Sequence, residues 1–254
     1  MSARTNPLAA ARRAVAHDTG ASPYRRVPRN GVTAGSRRWL WHYGRAPERR
    51  QRRYRALANT LATGATLVTL IFTFGAVSGA HFNPAVTLAD ASQGGMRWRD
   101  VSGYIAAQAA GAMLGVWAGH LMFEELVLQV SPYVQAGSSQ LFSEFIATLG
   151  LLSVIWGCGR LRAEAVPFAV GLYITGAYWF TASTSFANPA VTLARAFTNT
   201  FAGIRPADAP GFVAAQLAGA FAATFLFRWL VPSLPKQVRD VVVPHTEKEL
   251  SHGR

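Results

Sequence analysis

Six stretches of this chain contain no Asp, Glu, Lys or Arg: 56–89, 101–123, 126–143, 145–159, 165–194 and 209–227. A helix needs roughly 20 apolar residues to cross the hydrocarbon core of a bilayer, and several of these stretches reach that length. A helix on the surface of a water-soluble protein also needs a polar face, and 57–78 and 103–123 have none. The pattern predicts an all-α, multi-pass membrane protein, with spans at about 57–78, 103–124, 141–159, 166–184 and 211–231.

The net charge of +13 describes one end of the chain and not its body. Residues 1–55 hold 14 Arg, no Lys, and only Asp18 and Glu48 as acids. The remainder holds 11 basic and 10 acidic residues, so a high isoelectric point is no argument for nucleic-acid binding. Three regions follow: an Arg-rich segment 1–55, expected to be disordered or out of frame, an apolar body 56–232, and a polar tail 233–254. A single cysteine, Cys158, excludes an internal disulfide, a Cys-rich zinc site and a CxxC redox pair. The body has no GxSxG, P-loop, HExxH or paired carboxylates, so it does not read as an enzyme, and no metal or cofactor is expected.

The body repeats itself. Residues 82–90, F-N-P-A-V-T-L-A-D, return at 187–195 as A-N-P-A-V-T-L-A-R, and 100–112 return at 208–220 with Asp100, Gly103, Gln108 and Gly111 matched by Asp208, Gly211, Gln216 and Gly219. Internal duplication is a common plan of membrane transport proteins, with the substrate path at the repeat interface. In each copy Asn83 or Asn188 reads as a helix N-cap and Pro84 or Pro189 as the first helical residue, followed by Ala85 or Ala190. Each helix is predicted to run about two to three turns, ending before Gly94-Gly95 or Gly203, which is half a membrane. An odd number of spans per copy inserts the second copy upside down. The two half-helices then meet tip to tip, each with partial positive charge at its N-terminus. Neutral molecules find amide donors there, and cations, hydronium included, meet a barrier.

S-G-A-H-F-N-P-A-V-T at 78–87, together with the second Asn-Pro-Ala, resembles the signature of the aquaporin family, also called the major intrinsic proteins; the likeness extends over about residues 56–232. The resemblance implies six spanning helices and two half-helices in an inverted repeat. It implies a homotetramer in the cell (inner) membrane, one pore per protomer, and passive diffusion of water or small uncharged solutes without a cofactor. Asn83 and Asn188 match the pore asparagines. Gly79, Ala80 and His81, with Thr184, Ser185 and Phe186, match the loops whose backbone lines the pore. Counting without gaps from each Asn-Pro-Ala, the four residues of the outer constriction fall on Thr63, Gly176, Ser185 and Val191. Water-selective members carry Arg where this chain has Val191, and His and Phe where it has Gly176 and Thr63. A wider constriction is expected, passing solutes of the glycerol, urea or arsenous acid class; Val at this place resembles a bacterial branch linked to arsenite handling. Arg195, one turn beyond Val191, is expected to point elsewhere; the alternative is that it partly replaces the missing charge. Glu144 matches a buried glutamate that braces a re-entrant loop.

The family also has a spanning helix before 57–78. In its place stands 17–55, where no window could span a bilayer. Out-of-frame translation through that helix is the expectation, and a genuine Arg-rich arm that binds acidic lipid or nucleic acid is the alternative. A chain with five spans would lack one pore wall, so a non-conducting homologue is the alternative to a channel. His120 is expected on a helix flank, Gln108 and Gln216 between helices, Cys158 in inert core, and Trp156, Trp179 and Trp229 as interfacial anchors.

Overall fold

The structure is a computed structural model that describes residues 45–200 and 202–230. The frameshift and Arg-arm expectations for 17–55 fall chiefly, and the 233–254 tail wholly, outside the described residues. The chain divides into two compact units, Met1–Gln51 and Arg52–Arg254, and the repeat lies in the second.

Helix α1 covers Arg45–Ser78 and starts eleven residues before the composition changes at Ala56. Arg, Ala, Gln and Glu are good helix formers, and Pro47 falls in the first turn, where proline is tolerated. Then come α2 (Pro84–Gln93), α3 (Trp98–Met122), α4 (Ser138–Leu161), a 3₁₀ turn at Ala163–Ala165, α5 (Val166–Phe180), α6 (Pro189–Arg195), a 3₁₀ turn at Pro206–Asp208, and α7 (Ala209–Leu230). Among the described residues, Tyr54–Ser78, Trp98–Met122, Ser138–Arg160 and Pro206–Leu230 are long and apolar enough to cross a membrane. The fifth expected span, 166–184, is shorter: α5 has 15 residues, because Thr181 is already extended at φ −104°, ψ 146°. Phe72, Leu114, Leu172 and Phe225 point outward, an apolar surface suited to lipid and not to water.

Alanine and glycine set the helix spacing, as is usual where helices pack in a membrane. A Cβ on Gly219 would strike the Phe145 carbonyl and lie 3.1 Å from the Leu149 nitrogen, so α7 lies directly against α4. A Cβ on Gly171 would lie 2.8 Å from the Gly64 carbonyl, and the Thr60 hydroxyl donates to the Thr175 carbonyl at 2.8 Å, which joins α1 to α5. Trp156 is fully buried against α7, its Nε1 donating to Thr224 Oγ1 at 3.4 Å, and is core instead of the expected interfacial anchor. Trp179 and Trp229 are exposed.

The two copies of the repeat are packed unequally. Gly211 and Gly219 on α7 face Leu141 and Phe145 of α4, whereas a Cβ on their counterparts Gly103 and Gly111 on α3 would meet nothing within 4 Å. Nothing among the described residues plays for α3 the part that α4 plays for α7. A groove of about 940 Å³ runs along this face of α3, lined by Leu67, Tyr104, Gln108 and Gly111 among others.

Candidate functional site

Each Asn-Pro-Ala opens a helix as the sequence predicts. Asn83 and Asn188 are extended N-caps at φ −146° and −156°. The Asn83 Oδ1 accepts from the Ala85 nitrogen at 2.9 Å, and the Asn188 Oδ1 from Ala190 and Val191 at 2.9 and 3.3 Å. Helix α2 ends at Gly94, left-handed at φ 83°, a conformation glycine adopts without strain. Helix α6 has seven residues, about two turns, and ends at Arg195, well ahead of Gly203. Its last carbonyls leave the helix: that of Ala196 accepts from Ser131, and that of Arg195 from Ile204.

The two tips lock across one another. The Asn83 Nδ2 donates to the Ala187 carbonyl at 2.7 Å, and the Asn188 Nδ2 to the Phe82 carbonyl at 2.9 Å. Each amide group has two hydrogens, so each asparagine retains one donor beyond the lock. The loops leading to the caps hold Gly79, Ala80, Thr184, Ser185 and Ala187 at positive φ. For the four residues other than glycine this strained conformation must be held by the surroundings.

Glu144 holds the second loop. It is fully buried, and its carboxylate accepts from Ser183 Oγ at 2.5 Å, the Phe186 and Ala187 nitrogens at 2.8 Å each, and Gln216 Nε2 at 2.6 Å. Gln216 also donates to Thr192 Oγ1 at 2.8 Å. In the first copy Gln108 makes the matching bond to Thr87 Oγ1 at 2.8 Å, but its second bond goes to the His81 carbonyl at 2.6 Å; the Oε1 of each glutamine is buried without a partner among the described residues.

A cavity of about 320 Å³ lies at the tips, walled by α1, α4, α5 and both loops. Asn83, Asn188, Thr63, Ser185 and Val191 face it, as do Ala80 and Phe186. Pro84 and Ala85 are buried within the first cap, while Pro189 and Ala190 open the second. Gly176 does not reach the cavity. It is exposed on another side of α5, because Gly171 and Thr175 turn toward α1 and leave Val166, Val170, Ile174 and Tyr178 as the wall. Gly79, His81 and Thr184 are likewise off it: Thr184 is exposed, and His81 packs under Tyr104 with its ring nitrogens 3.2 Å from Thr87 Oγ1 and 3.7 Å from Asp90 Oδ2. His120 is not on a flank but buried, 2.9 Å from Thr198 Oγ1 and 3.0 Å from the Val127 carbonyl.

Arg195 does face the cavity, against the expectation. Its Nη2 donates to the Tyr178 hydroxyl at 2.8 Å, and its guanidinium lies 4.3 Å over the Phe186 ring. The signal was present in the sequence: Arg195 stands four residues from Val191, on the same helical face. Tyr178, its anchor, was missed for want of the α5 register.

Two inverted half-helices that meet at crossed asparagines are the arrangement that the sequence resemblance foretold, and the wider comparison agrees. The sequence profile described as Major intrinsic protein matches residues 41–164 and, a second time, 157–253. The chain belongs to the major intrinsic protein family. It is therefore a transmembrane channel protein and not an enzyme. It is 56% identical over 180 residues to Aquaglyceroporin AqpS of Rhizobium meliloti (strain 1021), covering 70% of this chain and 77% of that protein. It is 37% identical over 131 residues to a glycerol uptake facilitator protein of Streptococcus pneumoniae (strain ATCC BAA-255 / R6), covering 46% and 56%. It is 40% identical over 116 residues to Aquaporin NIP1-1 of Oryza sativa subsp. japonica, covering 44% and 41%. In this major intrinsic protein the groove beside α3 and the cavity share Leu67, Phe82 and Val191 in their linings.

Proposed function

We propose that this chain is a passive pore for small uncharged solutes larger than water, of the glycerol, urea or arsenous acid class, and that it works as a homotetramer in the inner membrane. The observation that carries this reading is one cavity bounded by the crossed asparagines, with Val191 where water-selective relatives have arginine. A solute with lone pairs accepts from the remaining amide donors of Asn83 and Asn188 as it leaves water. The apolar wall of Leu67, Ile71, Val170 and Ile174 offers no competing bond that would retain it. Ion exclusion follows from the same place, since an ion entering this cavity would exchange its hydration shell for few ligands. The names of the relatives, an aquaglyceroporin and a glycerol uptake facilitator, point to solutes of the same size.

Solute-driven swelling of proteoliposomes tests the proposal. Glycerol, urea and arsenous acid should each enter faster than into protein-free vesicles. Water permeation with full exclusion of all three would overturn the wide-pore reading.

The groove favours a second reading. Because it meets the cavity wall at Leu67, Phe82 and Val191, the chain by itself is a non-conducting homologue, or conducts only with a further helix laid along α3. Correctly inserted protein that gives no flux above protein-free vesicles would favour this reading over the first.

A further inference from the structure

We propose that Arg195, one helical turn past the residue that follows the second Asn-Pro-Ala, sets the specificity of the pore, supplying its fixed positive charge and a hydrogen-bond donor for oxygen-bearing neutral solutes. The proposal rests on the channel reading and deepens it.

Three observations carry it. First, Arg195 lines the same cavity as Asn188 and Val191, at the end of α6 remote from the crossed asparagines. One turn of helix places it about 6 Å along the axis from Val191. Second, the guanidinium is fixed in place. Nη2 donates to Tyr178 at 2.8 Å, the planar head lies 4.3 Å over Phe186, and Phe186 is itself held by the Glu144 carboxylate through its backbone nitrogen. Such a head on a rigid aromatic support is pre-organised, because arginine recognises oxygen acceptors through a planar fork. Third, the fork is half used. Nη1 is buried and has no acceptor among the described residues, and no carboxylate pairs with Arg195 among them. A buried charged donor without an acceptor is costly. Arg195 lines the cavity, so an oxygen-bearing solute there meets the guanidinium, and reaching Nη1 itself needs a small turn of that head.

The chain thus moves its positive charge along the half-helix. Val191 leaves the cross-section beside it wide and apolar, while Arg195 restores selection one turn later. A hydroxyl, a urea carbonyl or a hydroxo group of an undissociated oxyacid can accept from the guanidinium where Arg195 lines the cavity, and a cation approaching the same point is repelled. An apolar solute of equal size gains nothing there.

The test uses the full chain in proteoliposomes, with glycerol, urea and water fluxes and the leak of protons and K⁺ measured side by side. Arg195→Val should raise the cation leak at least about tenfold, equivalent to about 1.4 kcal/mol of barrier, and lower the glycerol-to-water flux ratio. Arg195→Lys keeps the charge but loses the fork, so the leak should stay within about twofold of wild type while the glycerol-to-water ratio still falls. Unchanged leak and unchanged flux ratios in Arg195→Val overturn the proposal. If that variant does not insert, Tyr178→Phe decides, since it frees the guanidinium without removing it: an unchanged solute ratio overturns the proposal, and a lowered one supports it. Wild-type protein without solute flux overturns the channel reading and this proposal with it. Wild-type flux with indifferent variants overturns this proposal alone.

Discussion

Replacing Glu144 removes the one acceptor that four donors share. Ser183 and Gln216 can rotate to other partners, but the Phe186 and Ala187 nitrogens are fixed in the chain and their bonds to the carboxylate are 2.8 Å each. A buried donor left unsatisfied costs about 1–3 kcal/mol, so the two nitrogens alone imply roughly 4 kcal/mol. Part of this is returned because a buried charge no longer has to be desolvated. Against a total stability on the order of 5–15 kcal/mol, Glu144→Ala should be severe. Glu144→Gln keeps one oxygen as acceptor and turns its amide toward a donor, so about half the loss is expected, roughly 2 kcal/mol. The damage should be local before it is global, because the same loop carries Ser185, Phe186 and the Ala187 carbonyl that Asn83 binds. Thermal unfolding in detergent, with solute flux measured on the same preparations, should rank wild type above Glu144→Gln above Glu144→Ala in both. If both variants unfold with wild type and conduct as it does, the carboxylate is not the brace and the geometric reasoning fails.

The unequal repeat makes two further predictions. Gly219→Ala should lower the unfolding temperature markedly, because its Cβ would meet the Phe145 carbonyl, whereas Gly111→Ala, whose Cβ would meet nothing within 4 Å, should stay within about 0.5 kcal/mol of wild type. Equal effects of the two would remove the packing asymmetry. If 17–55 is read out of frame, another frame of its coding DNA should encode an apolar span with a carboxylate near position 39, one repeat spacing of 105 residues upstream of Glu144. Sequencing the gene and reading its three frames checks this, and the absence of any apolar span refutes it.

What the sequence made legible was whatever the repeat wrote twice. The paired Asn-Pro-Ala caps, the matched glutamines and the short helices could be read because an N-cap, a proline at the first position and an apolar turn are local chemistry. Glu144 was readable through the family resemblance, which implies a bracing glutamate there, while its four donors come from the second loop and α7 and needed the fold. Gly176 failed because distance along the chain does not determine helical face. That face depends on which glycines touch, here Gly64 and Gly171, and contact is a tertiary fact. Trp156 failed for a similar reason: a tryptophan near a helix end looks interfacial until the neighbouring helix, with Thr224, covers it. Arg195 was misjudged because Tyr178 and Phe186, which hold its head in the cavity, come from α5 and from the second loop.

The claim that solutes pass through the cavity at the crossed asparagines can be tested by blocking it there. In a Cys158→Ala background the chain has no other cysteine, so Val191→Cys places one thiol on the cavity wall. Glycerol flux into proteoliposomes, measured before and after reaction with a bulky thiol reagent, should fall to the protein-free rate. Complete labelling with undiminished glycerol flux would show that the solute does not travel this way.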